Sequence, residues 1–150
     1  MTVRIQTQDF DAGYEISQLR NARKDTGAVV CFIGQVRDLN DGDTVSLLTL
    51  EHYPGMTEKA LEAIVSLAQS RWNIFDSVVI HRVGTLQPSD QIVLVAVSSA
   101  HRGEAFKACE FIMDYLKTEA PFWKKEVTNQ GERWVDAKHS DDDARERWIK

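Results

Sequence analysis

Lys117 and Lys124 stand on either side of Pro121, in the run Lys117-Thr118-Glu119-Ala120-Pro121-Phe122-Trp123-Lys124-Lys125-Glu126. Proline ends a helix and turns the chain, so the two ammonium groups can approach each other. Close cations lower each other's pKa, and a lysine tuned in this way serves as a nucleophile or a general acid/base. The competing reading of Lys117 is a cation in a last helical turn, where the helix dipole favours it anyway. In the strand expected after the proline, Lys124 and Glu126 alternate onto one face and Lys125 points the other way. Phe122 and Trp123 offer apolar walls to such a site, or are simply core.

A second set of residues suits an anion. His101 and Arg102 are adjacent at the expected start of a helix. A helix start presents unpaired backbone N–H groups and a partial positive charge, and an imidazole and a guanidinium added there make a phosphate site. The alternative is a solvated first turn. Arg37 follows Gln35 and Val36 at the end of an apolar run, beside a turn, and is a further anion clamp or a surface arginine. The other histidines, His52, His81 and His139, have no metal-ligand spacing and read as structural or solvated. No metal site is expected. Cys31 and Cys109 lie in apolar runs without an adjacent base, so both read as buried, inert thiols. Glu51-His52 is not an acid/base pair, because strand neighbours point to opposite faces.

The elements that must hold these residues follow from periodicity and turn chemistry. Val3, Ile5 and Thr7 alternate with polar residues, as in a short strand. Asp11 to Arg23 reads as a helix with Ile16 and Leu19 on one face and Gly27 closing the turn. Ala28 to Ile33 is continuously apolar and reads as a buried strand. Asn40-Asp41-Gly42-Asp43 is a turn, and Thr44 to His52 the strand after it. Thr57 is the expected N-cap of a helix running to about Trp72, with Leu61, Ile64, Val65 and Ala68 buried. Ser77–Val83 and Gln91–Ser98 are strands joined by a hairpin-type loop over residues 84–90. Ser98-Ser99 caps a long helix from Ala100 to Thr118. Phe122–Thr128 and Arg133–Ala137 form a strand pair around Asn129-Gln130-Gly131. The tail has acids, Asp141 to Asp143, at the start of a last helix over Ala144–Lys150. This order predicts an α+β or mixed sandwich rather than a doubly wound sheet. There is no GxGxxG and no P-loop glycine pattern.

Composition bounds the partners. The chain has 150 residues with 18 Lys+Arg against 23 Asp+Glu, a formal net charge of -5. That fits one domain over residues 1–150 with a real core. An acidic balance argues against coating nucleic acid or an anionic membrane. It leaves room for a local basic pocket, which Arg37, Arg102, Lys117, Lys124 and Lys125 can form. No apolar leader and no span of about 18 apolar residues is present, and two lone cysteines make no disulfide scaffold. The expected compartment is the cytoplasm.

Longer blocks carry a resemblance. Leu48-Thr49-Leu50-Glu51-His52-Tyr53-Pro54-Gly55-Met56-Thr57-Glu58-Lys59-Ala60-Leu61 resembles the large subunit of molybdopterin synthase. So do His101-Arg102, Ala105-Phe106, Phe111-Ile112-Met113-Asp114-Tyr115-Leu116-Lys117-Thr118 and Ala120-Pro121-Phe122-Trp123-Lys124-Lys125-Glu126. The similarity runs from about Ala28 to about Trp148.

The resemblance implies an α/β hammerhead-type fold with additional antiparallel β-strands, within the α+β class. It implies a sulfurtransferase that works as a central homodimer within a heterotetramer. Each end carries a small ubiquitin-like sulfur-carrier subunit, whose C-terminal Gly-Gly thiocarboxylate enters a pocket of the large subunit. The implied substrate is cyclic pyranopterin monophosphate, which receives two sulfurs to become the molybdopterin dithiolene of the molybdenum cofactor. No cofactor of its own is implied. Carried over, the catalytic pair falls on Lys117 and Lys124. The substrate-binding set falls on Gln35, Val36, Arg37, His101, Arg102, Lys117, Lys124, Lys125 and Glu126. The rival class is a non-catalytic module that docks a ubiquitin-like tail. Arg102 and Lys117 are fifteen residues apart on one expected helix, roughly 22 Å along its axis. A small substrate struggles to touch both in one chain, so the expectation is a site shared between two protomers.

Overall fold

The computed structural model describes residues 1–135 and 139–149. The elements run β1 (Thr2–Gln6), α1 (Ala12–Asn21), β2 (Ala28–Gln35), β3 (Leu39–Asn40), β4 (Asp43–His52), α2 (Met56–Arg71), β5 (Asp76–Arg82), β6 (Gly84–Leu86), β7 (Gln91–Ser99), α3 (Arg102–Glu119), β8 (Phe122–Thr128), β9 (Gly131–Val135) and α4 (His139–Glu146). They form two sheets, and the class is α+β. One sheet has the order β1-β5-β7-β2, and the other β3-β4-β8-β9 with β6 on β4. Among the described residues only the β1–β5 pairing is parallel. No helix among the described residues is long and apolar enough to cross a membrane.

The first sheet is covered on both faces. Val79, Val93, Val95 and Val97 point toward α2 and α3, and meet Leu61, Val65, Phe111 and Ile112. Val78, Ile80, Leu94 and Ala96 point the other way, onto Phe10 and Leu19. A strand sandwiched between helices needs apolar side chains on both sides, which is why β7 reads Ile-Val-Leu-Val-Ala-Val without alternation. A smaller cluster of Val36, Leu48, Leu50, Val83 and Leu86 joins the two sheets.

Several local expectations are corrected. The apolar run 28–33 is an edge strand, paired on one side only with β7. Cys31 is exposed, and Phe32 and Ile33 are 40% and 38% exposed, so the run is not buried and Cys31 is not a buried thiol. Continuous hydrophobicity does not distinguish a central strand from an apolar edge. Thr57 is not the N-cap of α2; Gly55 is, at φ 86°. Thr57 is the second residue of the helix and fully buried, its hydroxyl accepting from the Tyr53 N–H and donating to the Pro121 carbonyl. That bond ties the start of α2 to the turn between α3 and β8. Gly27 does not close α1, which ends at Asn21. A Cβ on Gly27 would lie 2.1 Å from the Ala100 carbonyl oxygen, so its need is for close approach.

The 84–90 connection is not only a loop. Its first residues form β6, with Leu86, Thr85 and Gly84 paired to Leu48, Thr49 and Leu50. Gly84 makes the required left-handed turn at φ 92°, and this short strand links the first sheet to the second. The last helix starts at His139 and ends at Glu146. Trp148, beyond it, packs against Trp72 and Phe111. The expected strand over Arg133–Ala137 is seen to Val135; Asp136 and Ala137, and the His139 side chain, lie outside the described residues.

Candidate active site

Three elements meet where α3 ends. Pro121 turns the chain from α3 directly into β8, which pairs with β4. The end of β2 and the residues after it arrive from the first sheet. A β-irregularity between Gly34 and Gln35 bends that strand as it leaves β7. Val36 returns its backbone to Asp90 and Ser89, which holds the segment in place. Between these elements lies a cavity of about 560 Å³.

The cavity collects most of the residues singled out from the sequence. Gln35, Val36, Arg37, Lys117, Lys124 and Glu126 all line it. Lys117 comes from the last turn of α3, and Lys124 from β8, two residues past Phe122. Arg37 and Lys117 are exposed and Lys124 is half-buried. Lys125 faces away, as strand alternation requires. It pairs with Glu132 and lies over the Trp134 ring on the outer side of the second sheet. Trp123 shares that outer side and is 47% exposed, while Phe122 lines the cavity.

His101 and Arg102 do not line the cavity. They are exposed at the opposite end of α3, and the His101 side chain makes no capping bond. The helix start is fixed by its neighbours instead. Ser99 Oγ accepts from the His101 N–H and donates to the Asn73 carbonyl, and Glu104 accepts from the Asn73 N–H. This leaves both side chains of the pair facing outward.

Glu126 is held by its own sheet. The residue is 5% exposed, and its carboxylate accepts from Asn40 Nδ2 at 3.0 and 3.1 Å and from Arg133 Nε at 3.2 Å. Arg133 also donates to Asp43 at 2.7 Å and to the Asn40 carbonyl at 3.0 Å. The network spans β3, β4, β8 and β9, so it stiffens the strand that carries Lys124. Buried charge requires such partners.

His81, read from the sequence as structural or solvated, is the residue that reading underrated. It lies on β5, is 3% exposed, and lines the cavity. Its ring stacks on Phe122 with centroids 3.8 Å apart and 17° between planes. Burial pushes its pKa down to about 3, against the pull of a backbone hydrogen bond at Arg82; the charges of Lys124, Lys117 and His52 add to the depression. The only sequence signal was a polar residue in an otherwise apolar strand, Ser-Val-Val-Ile-His. Cys109, on α3, is buried and its thiol is pushed up to about 12 by that burial, so it stays protonated.

The cavity therefore gathers a guanidinium and two ammonium groups, arriving from three separate elements, beside an apolar wall. Such a set can hold a phosphate, stabilise oxygen charge that develops during group transfer, and move protons. The model of the family described as MoaE protein matches residues 5–119.

The chain belongs to the MoaE family.

Its relatives agree over nearly the full length. A molybdopterin synthase catalytic subunit from Ralstonia nicotianae is 66% identical over 147 residues, covering 98% of this chain and 84% of that protein. The solved MoaE structure from Burkholderia ambifaria superposes with a TM-score of 0.84 at 58% identity, covering 99% of this chain and 98% of that one. A protein–protein complex of subunits 1 and 2 of molybdopterin-converting factor from Helicobacter pylori shares the MoaE fold at 19% identity. Its TM-score is 0.72, with 89% and 90% of the two chains covered.

Proposed function

We propose that this chain is the catalytic subunit of a molybdopterin synthase, with its chemistry in the cavity between α3, β8 and the end of β2. The supporting observation is the convergence of Arg37, Lys117 and Lys124 on that one cavity. The relatives' names supply the reaction class, and the Helicobacter pylori complex supplies the precedent for a second, different subunit. The sulfur donor is the C-terminal thiocarboxylate of a small ubiquitin-like partner, and the acceptor is cyclic pyranopterin monophosphate.

The residues divide the work by their chemistry. Arg37 and the Lys124 ammonium hold anions, both the substrate phosphate and the partner's C-terminus. Lys117, in the exposed last turn of α3, reaches the same space from the other wall. Attack by the thiocarboxylate sulfur leaves negative charge on oxygen, which an ammonium stabilises more as it develops. The two lysines also serve the proton transfers of ring opening. Gln35 and the Val36 backbone line the entry from β2, and Glu126 keeps β8 in register through Asn40 and Arg133. Sulfur comes from the partner, so neither cysteine is used.

His101, Arg102 and Lys125 fall outside the cavity of one chain. His101 and Arg102 complete the site from the second protomer of a homodimer, so the two ends of α3 serve different active sites. Lys125 lies on the outer sheet face, paired with Glu132, and has no contact with substrate in this reading.

The test is reconstitution from purified parts: this chain, a thiocarboxylated small subunit and cyclic pyranopterin monophosphate, with molybdopterin formation measured. Product is expected from the wild type. Lys117→Ala is expected to cut turnover by at least about a hundredfold while the complex still forms. A wild-type chain that binds the small subunit and makes no product would instead be a docking module.

A further inference from the structure

We propose that Nε2 of His81 is a neutral hydrogen-bond acceptor that binds an N–H or O–H donor of the substrate inside the cation-lined cavity. The inference rests on the reading of that cavity as the synthase site.

The geometry fixes the ring first. His81 sits on β5, an inner strand of the first sheet, and points to the same face as Val79, toward the end of α3. Phe122 stacks on one side of it. Nδ1 lies 2.8 Å from the Arg82 carbonyl oxygen. A carbonyl has no proton to give, so Nδ1 carries the hydrogen and donates it. In a neutral ring that leaves Nε2 as a bare lone pair, the only remaining polar atom of the side chain.

The surroundings keep the ring neutral. It is buried, and the titratable groups acting on it are Lys117 on α3, Lys124 on β8 and His52 on β4. All three disfavour a further positive charge. The imidazole therefore remains a neutral acceptor at neutral pH.

The other polar groups of the cavity explain why such an acceptor matters. Arg37, Lys117 and Lys124 offer donors, and Gln35, which is exposed, adds an amide with both donor and acceptor, so His81 is distinguished as the buried neutral acceptor. Glu126 is engaged with Asn40 and Arg133, and the side-chain oxygen of Asn40 is sealed from solvent. Asp141 contributes a carboxylate from α4, a charged acceptor suited to a cation. A ligand with a phosphate at one end and a hydrogen-bearing heterocycle at the other needs cations for the first and an uncharged acceptor for the second. A reduced pterin has several ring N–H donors and meets that description. A purely apolar residue at position 81 would bury such a donor unpaired, which binding sites use to discriminate.

The experiment combines kinetics with spectroscopy on the complete complex. His81→Phe keeps the ring and its stacking and removes the acceptor. It is expected to raise KM for cyclic pyranopterin monophosphate about tenfold, with kcat within about threefold and small-subunit binding unchanged. His81→Gln returns an acceptor and is expected to recover most of that loss. Nitrogen-15 NMR of the wild-type chain needs no substitution: the Nε2 resonance should move upfield when substrate is added, and Nδ1 should not. An unmoved Nε2 resonance at saturating substrate overturns the proposal, as does a His81→Phe chain with wild-type KM. Absence of product from the wild type would instead overturn the reading of the cavity as the synthase site.

Discussion

The two ends of α3 carry the same kind of side chain and make different surroundings. At its start, His101 and Arg102 are exposed, and the polar groups nearby, Ser99 and Glu104, are spent on Asn73. At its end, Lys117 faces a cavity walled by β2, β5 and β8, with Lys124 and Arg37 on other walls. Both ends were legible as anion sites from residue type. Only one is enclosed in a single chain. Enclosure depends on Pro121 folding β8 back and on β6 pulling the second sheet against the first, neither of which charge patterning reports. The comparison teaches that an open cationic patch is half of something, whereas a closed one has its own chemistry.

The largest effect concerns activity: Arg102→Ala and Lys117→Ala are each expected to lower turnover by about a hundredfold or more, although the two residues lie at opposite ends of one helix. If Arg102→Ala turns over normally, the start of α3 is only surface. Next is stability at the closed end. Replacing Asn40 by Ala removes two hydrogen bonds to the buried Glu126 carboxylate and should cost about 2 kcal/mol, read from urea unfolding. An unchanged midpoint would mean that the network does not brace β8.

The pH dependence follows from His81. Its ordinary value is 6.5 and the folded value about 3, so between those pH values the unfolded chain binds a proton that the folded chain refuses. Its contribution is complete above 6.5 and is lost as pH falls, by up to about 1.4 kcal/mol per pH unit. His81→Phe should unfold with a shallower pH dependence across that window than the wild type; equal slopes would show that the ring does not stay neutral. The smallest effect is on the thiols. Cys31, exposed on the β2 edge, should label readily with a thiol reagent, and Cys109 only on unfolding. Replacing both by Ser should leave turnover within about twofold of wild type, and a larger loss without unfolding would revive thiol chemistry.

Much of the frame was legible. The long helix before Pro121, the 91–98 strand and the turn at Asn40-Asp41-Gly42-Asp43 follow from periodicity and turn chemistry, and all are found. The turn is tight enough to need positive φ at Asp41 and Gly42, the residues that tolerate it. The alternation that separates Lys124 and Glu126 from Lys125 is also found, because strand geometry leaves no other choice. What was not legible depends on tertiary placement. The 28–33 run looks like a central strand until its neighbour on one side proves absent. Thr57 looks like a cap because caps and buried bridging hydroxyls use the same residue. His81 is ambiguous for a related reason: a histidine in an apolar strand is core or site according to what lies opposite, and here Phe122 and two lysines do.

The central claim is that Lys117 of one protomer and Arg102 of the other act on one substrate. Subunit complementation tests it most directly. An Arg102→Ala chain and a Lys117→Ala chain are mixed, exchanged to equilibrium, and assayed with thiocarboxylated partner and cyclic pyranopterin monophosphate. Half of the dimers are then mixed and each has one intact site, so activity should return to about a quarter of wild type. Activity no higher than that of either variant alone, with dimer exchange verified, would contradict the shared site.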